Sequence, residues 1–208
     1  MKKWWILFFY IFIFSVVFMN KDLIFAWIHE SDASDLPFMF LLSVLLAAIP
    51  FIPFTLFAGL MGAKYGVFLG TVINWSGGLG AAMIYFLVSK TFFRDYFNQY
   101  LMKIKGMQRF QMMLERNAFI TILLARLIAI FPPPVVNMYS GVSLISFRTF
   151  LIATAIGLIP PMFIVAFSGE QVFLSFFHLS IGLCIYLLFL LTIFLFYKMW
   201  FRQSSRVS

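Results

Sequence analysis

Two apolar runs of this chain carry the same helix-breaking pattern 82 residues apart: Pro50 with Gly59 nine positions on, and Pro132 with Gly141 nine positions on. Proline lacks the backbone N–H that a helix uses, and its ring clashes with the preceding turn, so neither run can form one straight helix. The register extends to Phe68 over Phe150 and Leu69 over Leu151, although Pro53 and the pair Pro133 and Pro134 superimpose less closely. Interrupted apolar segments in corresponding halves of a chain are a mark of transporters built from an inverted repeat.

The remaining composition agrees with a bilayer as solvent. Of 208 residues, 63% are hydrophobic, 21% aromatic and only 11% charged, with a mean hydropathy of +1.02. That leaves too little polar surface to coat a soluble globule, so the chain reads as an integral membrane protein. The net charge of +8 sits in short segments between apolar runs. Membrane orientation and anionic lipid account for it, and nucleic acid is not an expected partner. The single cysteine, Cys184, lies in the apolar run 179–197 and reads as a small hydrophobe. Lys2 and Lys3 precede the apolar stretch 4–19, which ends without a small-residue cleavage site and reads as a retained signal anchor.

Five apolar blocks follow: 36–63, 67–88, 119–145, 149–167 and 179–197. Blocks 67–88, 149–167 and 179–197 have the roughly twenty residues that a spanning helix needs. Blocks 36–63 and 119–145 are longer and broken, by Pro50 and Pro53 and by Pro132, Pro133 and Pro134, so each is a kinked crossing or a hairpin returning to its own side. Basic residues discriminate. With hairpins, Lys2, Lys3, Lys90, Arg94, Lys103, Lys105, Arg109, Arg116, Arg148, Lys198, Arg202 and Arg206 are cytoplasmic, against Lys21 and Lys64 outside. With two crossings the cations divide evenly, so the excess of Lys and Arg expected in cytoplasmic loops favours hairpins.

The expected fold is therefore an all-α polytopic membrane protein with four spanning helices and two oppositely oriented re-entrant hairpins, both termini cytoplasmic. Residues 1–35 hold the signal anchor and an outer loop, 36–172 the core with hairpins 36–63 and 119–145, and 173–208 the last spanning helix and a basic tail. Within 90–116, Phe93, Phe97, Tyr100, Ile104 and Met107 recur at helical spacing, predicting an amphipathic helix resting on cytoplasmic headgroups.

Few polar residues lie inside the apolar runs. Arg126 stands in the run Ile122–Ile128 on the entering arm of the second hairpin, where a charge costs a few kcal/mol unless it meets water, a partner or an anion. Its planar fork suits a pair of phosphate oxygens, although an arginine near a hairpin entrance can also snorkel to headgroups. Asn137, on the unwound or returning arm, could contact a ligand or satisfy backbone groups freed by the prolines. Asn74 and Ser76 sit beside Gly77, Gly78 and Gly80, a spacing that lets helices approach closely. Pro160 and Pro161 imply a kink after Gly157 that could act as a hinge or be a fitted bend. Glu170 and His178 read as solvated outer residues, with proton coupling the sharper alternative. The histidines His29 and His178 are far apart, and no carboxylate pair lies in an apolar run, so neither an enzyme, a metal site nor a cofactor is expected.

The string Ala125–Pro132, with Asn137 to Gly141, Ile145 to Phe150 and Gly157 to Pro160, resembles the signature of the VTT-domain proteins, the SNARE-associated Golgi protein branch of the DedA superfamily. Gly59 to Gly62, with Gly66, is similar to the first-half signature of that family. The resemblance spans roughly residues 45–172. It implies a plasma-membrane protein with paired re-entrant hairpins, in a superfamily associated with moving phospholipids or polyprenyl-phosphate carriers between leaflets. It marks Arg126, Pro132, Asn137, Gly141 and Gly157 as motif residues, with Gly59 and Gly62 in the first half. Members proposed to be proton-coupled carry acidic residues around the first hairpin. Phe51 to Ala63 contains none, so energy-independent scrambling stands beside proton coupling.

The resulting expectation is a lipid flippase or scramblase in which Arg126 holds the headgroup phosphate, prolines keep the hairpin tips unwound, and membrane lipids are the partners. A small-solute or ion carrier and a non-transporting scaffold are the rival readings. Homo-oligomerisation stays open, because aromatic-rich lipid-facing surfaces and dimer interfaces look alike in sequence.

Overall fold

The computed structural model describes residues 33–49, 52–91, 107–128 and 131–204, together with Met19 and Ala26. Two compact units comprise Met1–Asp35 and Leu36–Ser208. In the first, the described element is the 3-10 turn Ala33–Asp35; the expected anchor over 4–19 lies outside the described residues, apart from Met19.

In the second unit all regular elements among the described residues are helices: α1 (Leu36–Ala48), α2 (Phe54–Thr91), α3 (Met107–Arg116), α4 (Ala118–Ile128), α5 (Pro133–Val142), α6 (Phe147–Leu174) and α7 (Phe176–Ser204). Three of them, α2, α6 and α7, are long and apolar enough to cross a bilayer. With about 1.5 Å per residue, α1, α4 and α5, of 13, 11 and 10 residues, reach roughly half of a 30 Å hydrocarbon core.

Two kinds of break shape the first half. The chain leaves its helix between Ala48 and Phe54, where Pro53 is followed at once by α2; Pro50 lies outside the described residues. A second, sharper turn divides α2 at Gly66, with φ 79° and ψ 170°. That backbone region is closed to side chains with a Cβ, so glycine is what lets the chain turn here. The limbs 54–65 and 67–91 then lie against each other: Asn74 Nδ2 donates to Ala58 O at 2.9 Å, and a Cβ on Gly70 would stand 2.8 Å from Gly62 Cα.

On another side of limb 67–91, Ser43 Oγ donates to Ile73 O at 2.9 Å and Tyr85 OH to Ala48 O at 2.8 Å. Helix α1 thus runs in the same direction as limb 67–91, whereas limb 54–65 runs back. The chain reverses between α1 and α2. Gly77 and Gly80 make the contact close, since Cβ atoms there would meet Ser43 and Val44 at under 3 Å. These glycines serve helix packing, as their spacing predicts.

The second half repeats the plan of short helix, break, short helix and long helix. The register of 82 carries the start of α1 at 36 onto the start of α4 at 118, and residue 67 onto 149, just inside α6. The long helices of the two halves run antiparallel, because Phe86 stacks on Phe150 with ring centroids 4.6 Å apart while Gly78 packs against Leu158 and Met162.

Helix α4 starts where Asn117 Oδ1 accepts from Ile120 N, and α6 where Ser146 Oγ accepts from Thr149 N. Each side chain satisfies a donor that the first helical turn leaves open. The core joins Phe86, Ile122, Val136, Tyr139 and Phe150 to Phe110 and Leu114 of α3. Of the amphipathic segment 90–116, residues 92–106 lie outside the described residues. Its last part, α3, does more than rest on a surface, because Phe110 is buried against Phe131 and Tyr139.

The faces left outward are apolar. Ile152, Ile156, Ile159 and Phe163 form an exposed stripe along α6, and α7 is exposed over most of its length. In water such surface would drive aggregation; in a bilayer it is the natural exterior.

Candidate functional site

Arg126 lies in the last turn of α4, buried to 6% exposure. A charged group at the centre of an apolar helix costs about 3 kcal/mol to insert, so its surroundings decide its role. Nη2 donates to Asn137 Oδ1 on α5 and, at 3.3 Å, to Thr154 Oγ1 on α6. The guanidinium carbon stands 5.8 Å from the centre of the Phe150 ring. All three partners are uncharged. Among the described residues Nε is buried without any hydrogen-bond partner. The cation is positioned rather than neutralised, and a guanidinium in that state favours an anion.

Its place is fixed by the backbone of α6. A Cβ on Gly157 would stand 2.7 Å from Arg126 Cβ and 3.1 Å from its Cγ, so only glycine leaves room for the arginine stem. Pro160 and Pro161 follow in the same helix, which continues through them to Leu174.

The guanidinium borders a cavity of about 210 Å³ that both chain breaks help to line. Ile49 and Ile52 come from the first break and Phe54 from the start of α2, while Pro133, Pro134 and Asn137 come from α5, which begins at the second break. Ala47 of α1, Gly78, Ala81 and Tyr85 of α2, and Leu158 and Met162 of α6 also line it. It has room for several waters or a small headgroup and is too small for a whole lipid.

Pro133 and Pro134, expected to keep the tip unwound, lie inside a helix instead, whereas Pro53 and Pro132 stay outside one. Pro132 occupies the N-cap and Pro133 and Pro134 open α5, where a missing N–H costs nothing and the fixed φ favours the first turn. Asn137 consequently stands on a formed helix, its carboxamide oxygen turned to Arg126. Gly141, further along α5, packs against Phe86 O, which a Cβ would approach to 2.4 Å. In the first half Gly62 lies against Ala166 of α6, where a Cβ would be 2.0 Å from the carbonyl oxygen; a Cβ on Gly59 would find 4.0 Å to Gly169 Cα.

The structure thus gathers Arg126, Asn137, Gly157, Pro133 and Pro134 at one place and keeps Gly59, Gly62 and Gly141 at helix crossings away from it. Glu170 also lies apart, on α6 sixteen residues beyond Thr154, about 24 Å along the helix. It accepts from Gln171 Nε2 at 3.1 Å. Thr154 and Tyr85 were not singled out by sequence, and Phe150 was named for its register and its place in the family string, not as a partner of Arg126. A lone hydroxyl or ring in an apolar helix carries no signal until its neighbours are known.

Residues 52–171 match the VTT domain. The chain belongs to the VTT-domain family, in the DedA superfamily. The match begins at the first break and covers Arg126, Asn137, Thr154 and Gly157, leaving α1 outside it. Uncharacterized protein YqeD of Bacillus subtilis (strain 168) is 33% identical over 137 residues, 64% of this chain and 64% of that protein. The chain therefore spans just under two thirds of that curated relative's length. No solved structure matches the chain.

Proposed function

We propose that this VTT-domain protein moves a phosphate-bearing lipid between leaflets, a phospholipid or a polyprenyl phosphate, with Arg126 engaging the headgroup phosphate. The observation that carries this reading is a buried guanidinium whose partners Asn137, Thr154 and Phe150 are all uncharged, at the edge of a headgroup-sized cavity. An anion entering that cavity would meet a pre-oriented donor and relieve a buried charge, while acyl tails stay in the surrounding lipid.

In this reading α1 with limb 54–65, and α4 with α5, are re-entrant hairpins that enter from opposite faces. Their shortness and the antiparallel course of limb 67–91 and α6 support it. The two breaks then meet near the bilayer midplane, where the barrier to a headgroup is highest. Orientation follows the distribution of basic residues: both termini are cytoplasmic, in the cell membrane. Asn137 holds the guanidinium, Gly157 gives it room, and no enzymatic step or cofactor is involved.

The test uses proteoliposomes containing fluorescent phospholipids bleached from outside by an impermeant reductant. Bleaching well past the outer-leaflet fraction is expected for the protein and not for protein-free vesicles. Bleaching that halts at the outer leaflet, for phospholipid and polyprenyl-phosphate probes alike and with or without a proton gradient, would defeat the reading and leave the scaffold alternative.

A further inference from the structure

Helices α6 and α7 enclose a second cavity, a lateral groove of about 580 Å³ that Arg126 does not reach. Its walls are almost wholly apolar. Phe163 and Phe167 stack along one side, 6.4 Å apart and 12° from parallel, and Tyr186 and Phe189 stack along the other, 6.2 Å apart. The groove is made by the sequence at two points. Gly182 admits the Phe167 ring, since a Cβ there would come within 2.2 Å of it. Pro160 closes the opposite end of the α6 wall.

Apart from the Tyr186 phenol on the α7 wall, the polar groups among the lining residues sit at the other end, where Gln171 and His178 form the rim. His178 is exposed. Gln171 Nε2 gives a hydrogen to Glu170 Oε2, which leaves its second amide hydrogen and its carbonyl oxygen for another partner. From Ile159 to Gln171 the α6 wall measures about 18 Å, close to the thickness of one leaflet of a 30 Å hydrocarbon core. An apolar slot of one leaflet's depth with hydrogen-bonding groups at one end matches a single lipid in that leaflet.

We infer that this groove is a lipid-binding site separate from the Arg126 cavity: it holds one acyl chain of a phospholipid, with the ester and headgroup at Gln171 and His178 and the methyl end near Pro160. Lipid tails in the bilayer are as apolar as the groove, so retention comes from close packing against fixed aromatic walls and from the polar rim. A lipid held here would wait beside α6, the helix that also carries Thr154 and Gly157. The inference does not depend on what Arg126 does.

Depth-resolved photolabelling of the full chain in phosphatidylcholine nanodiscs tests it. A diazirine placed near the ester should label Phe167, Gln171 or His178, and one near the chain terminus Ile159, Phe163 or Phe189. Ile181→Trp, which fills the slot, should lose this labelling, while Leu188→Trp, on an exposed position outside the groove, should keep it; size-exclusion profiles confirm that both are folded. Arg126→Gln should label as the parent does, which separates this site from the transport reading. Labelling spread evenly over the exposed faces of α6 and α7, or an inverted depth order, would overturn the assignment.

Discussion

Gly157→Ala is the sharpest probe of how the arginine is held. The new Cβ would sit 2.7 Å from Arg126 Cβ, 3.1 Å from Cγ and 3.3 Å from Leu123 O. Carbon atoms rest at about 3.5–4.0 Å, so α4 must move away from α6 or the arginine must change rotamer. Overpacking of this kind costs about 1–3 kcal/mol. Moving the stem also pulls Nη2 from Thr154, already at 3.3 Å. Alanine's helix propensity returns up to about 1 kcal/mol, so with the full return the net loss is up to about 2 kcal/mol. In a chain of this size that lowers the melting temperature by up to about 8 °C. Thermal unfolding in detergent gives the first readout, and lipid translocation well below both melting temperatures gives the second, which is expected to fall further than stability explains. A variant as stable and as active as its parent would refute the claim that Gly157 sets the position of Arg126.

The two first-half glycines should part company. Gly59→Ala has 4.0 Å of room and should be neutral or stabilising by up to about 1 kcal/mol, whereas Gly62→Ala meets the Ala166 carbonyl at 2.0 Å and should lower the melting temperature clearly; equal behaviour would contradict the crossing. Asn137→Asp supplies the guanidinium with a carboxylate beside it, so the fold should persist while translocation drops roughly tenfold or more, the equivalent of about 1.4 kcal/mol; undiminished transport would mean that the anion does not bind at Arg126. With Cys184 replaced, Met112→Cys on the exposed face of α3 should react with impermeant thiol reagents only from the cytoplasmic side. Labelling from outside would invert the hairpin arrangement.

What sequence reveals here follows from which interactions are local. Proline's missing donor makes both interruptions and their common register legible, although proline alone does not decide a break, since α6 continues through Pro160 and Pro161. Arg126 is legible because a charge among leucines and isoleucines has no bland solution. The role of Pro132 to Pro134 was harder to read: the same residues that forbid a helix through them favour one starting at them, and only the backbone distinguishes the two. Phe93, Phe97, Tyr100, Ile104 and Met107 are legible as a stripe, but a stripe does not say whether it faces lipid or protein, and Phe110 and Leu114, which the structure buries, stand outside it. Helices α6 and α7 extend beyond the apolar blocks 149–167 and 179–197 because helical hydrogen bonding continues across Ser168, Glu170 and Gln171 to Leu174, and across Lys198 and Arg202 to Ser204. Tyr85 and Thr154 reach the site through helix crossings between distant segments, which no short window of sequence contains.

The central claim is that a lipid phosphate passes through the site of Arg126. It is tested most directly by the initial rate of headgroup translocation in proteoliposomes of the parent and of Arg126→Gln, matched for insertion and for melting temperature. The rate of the variant is predicted to fall to that of protein-free vesicles. Equal rates for the two proteins would remove Arg126 from the path and with it the account of the cavity given above.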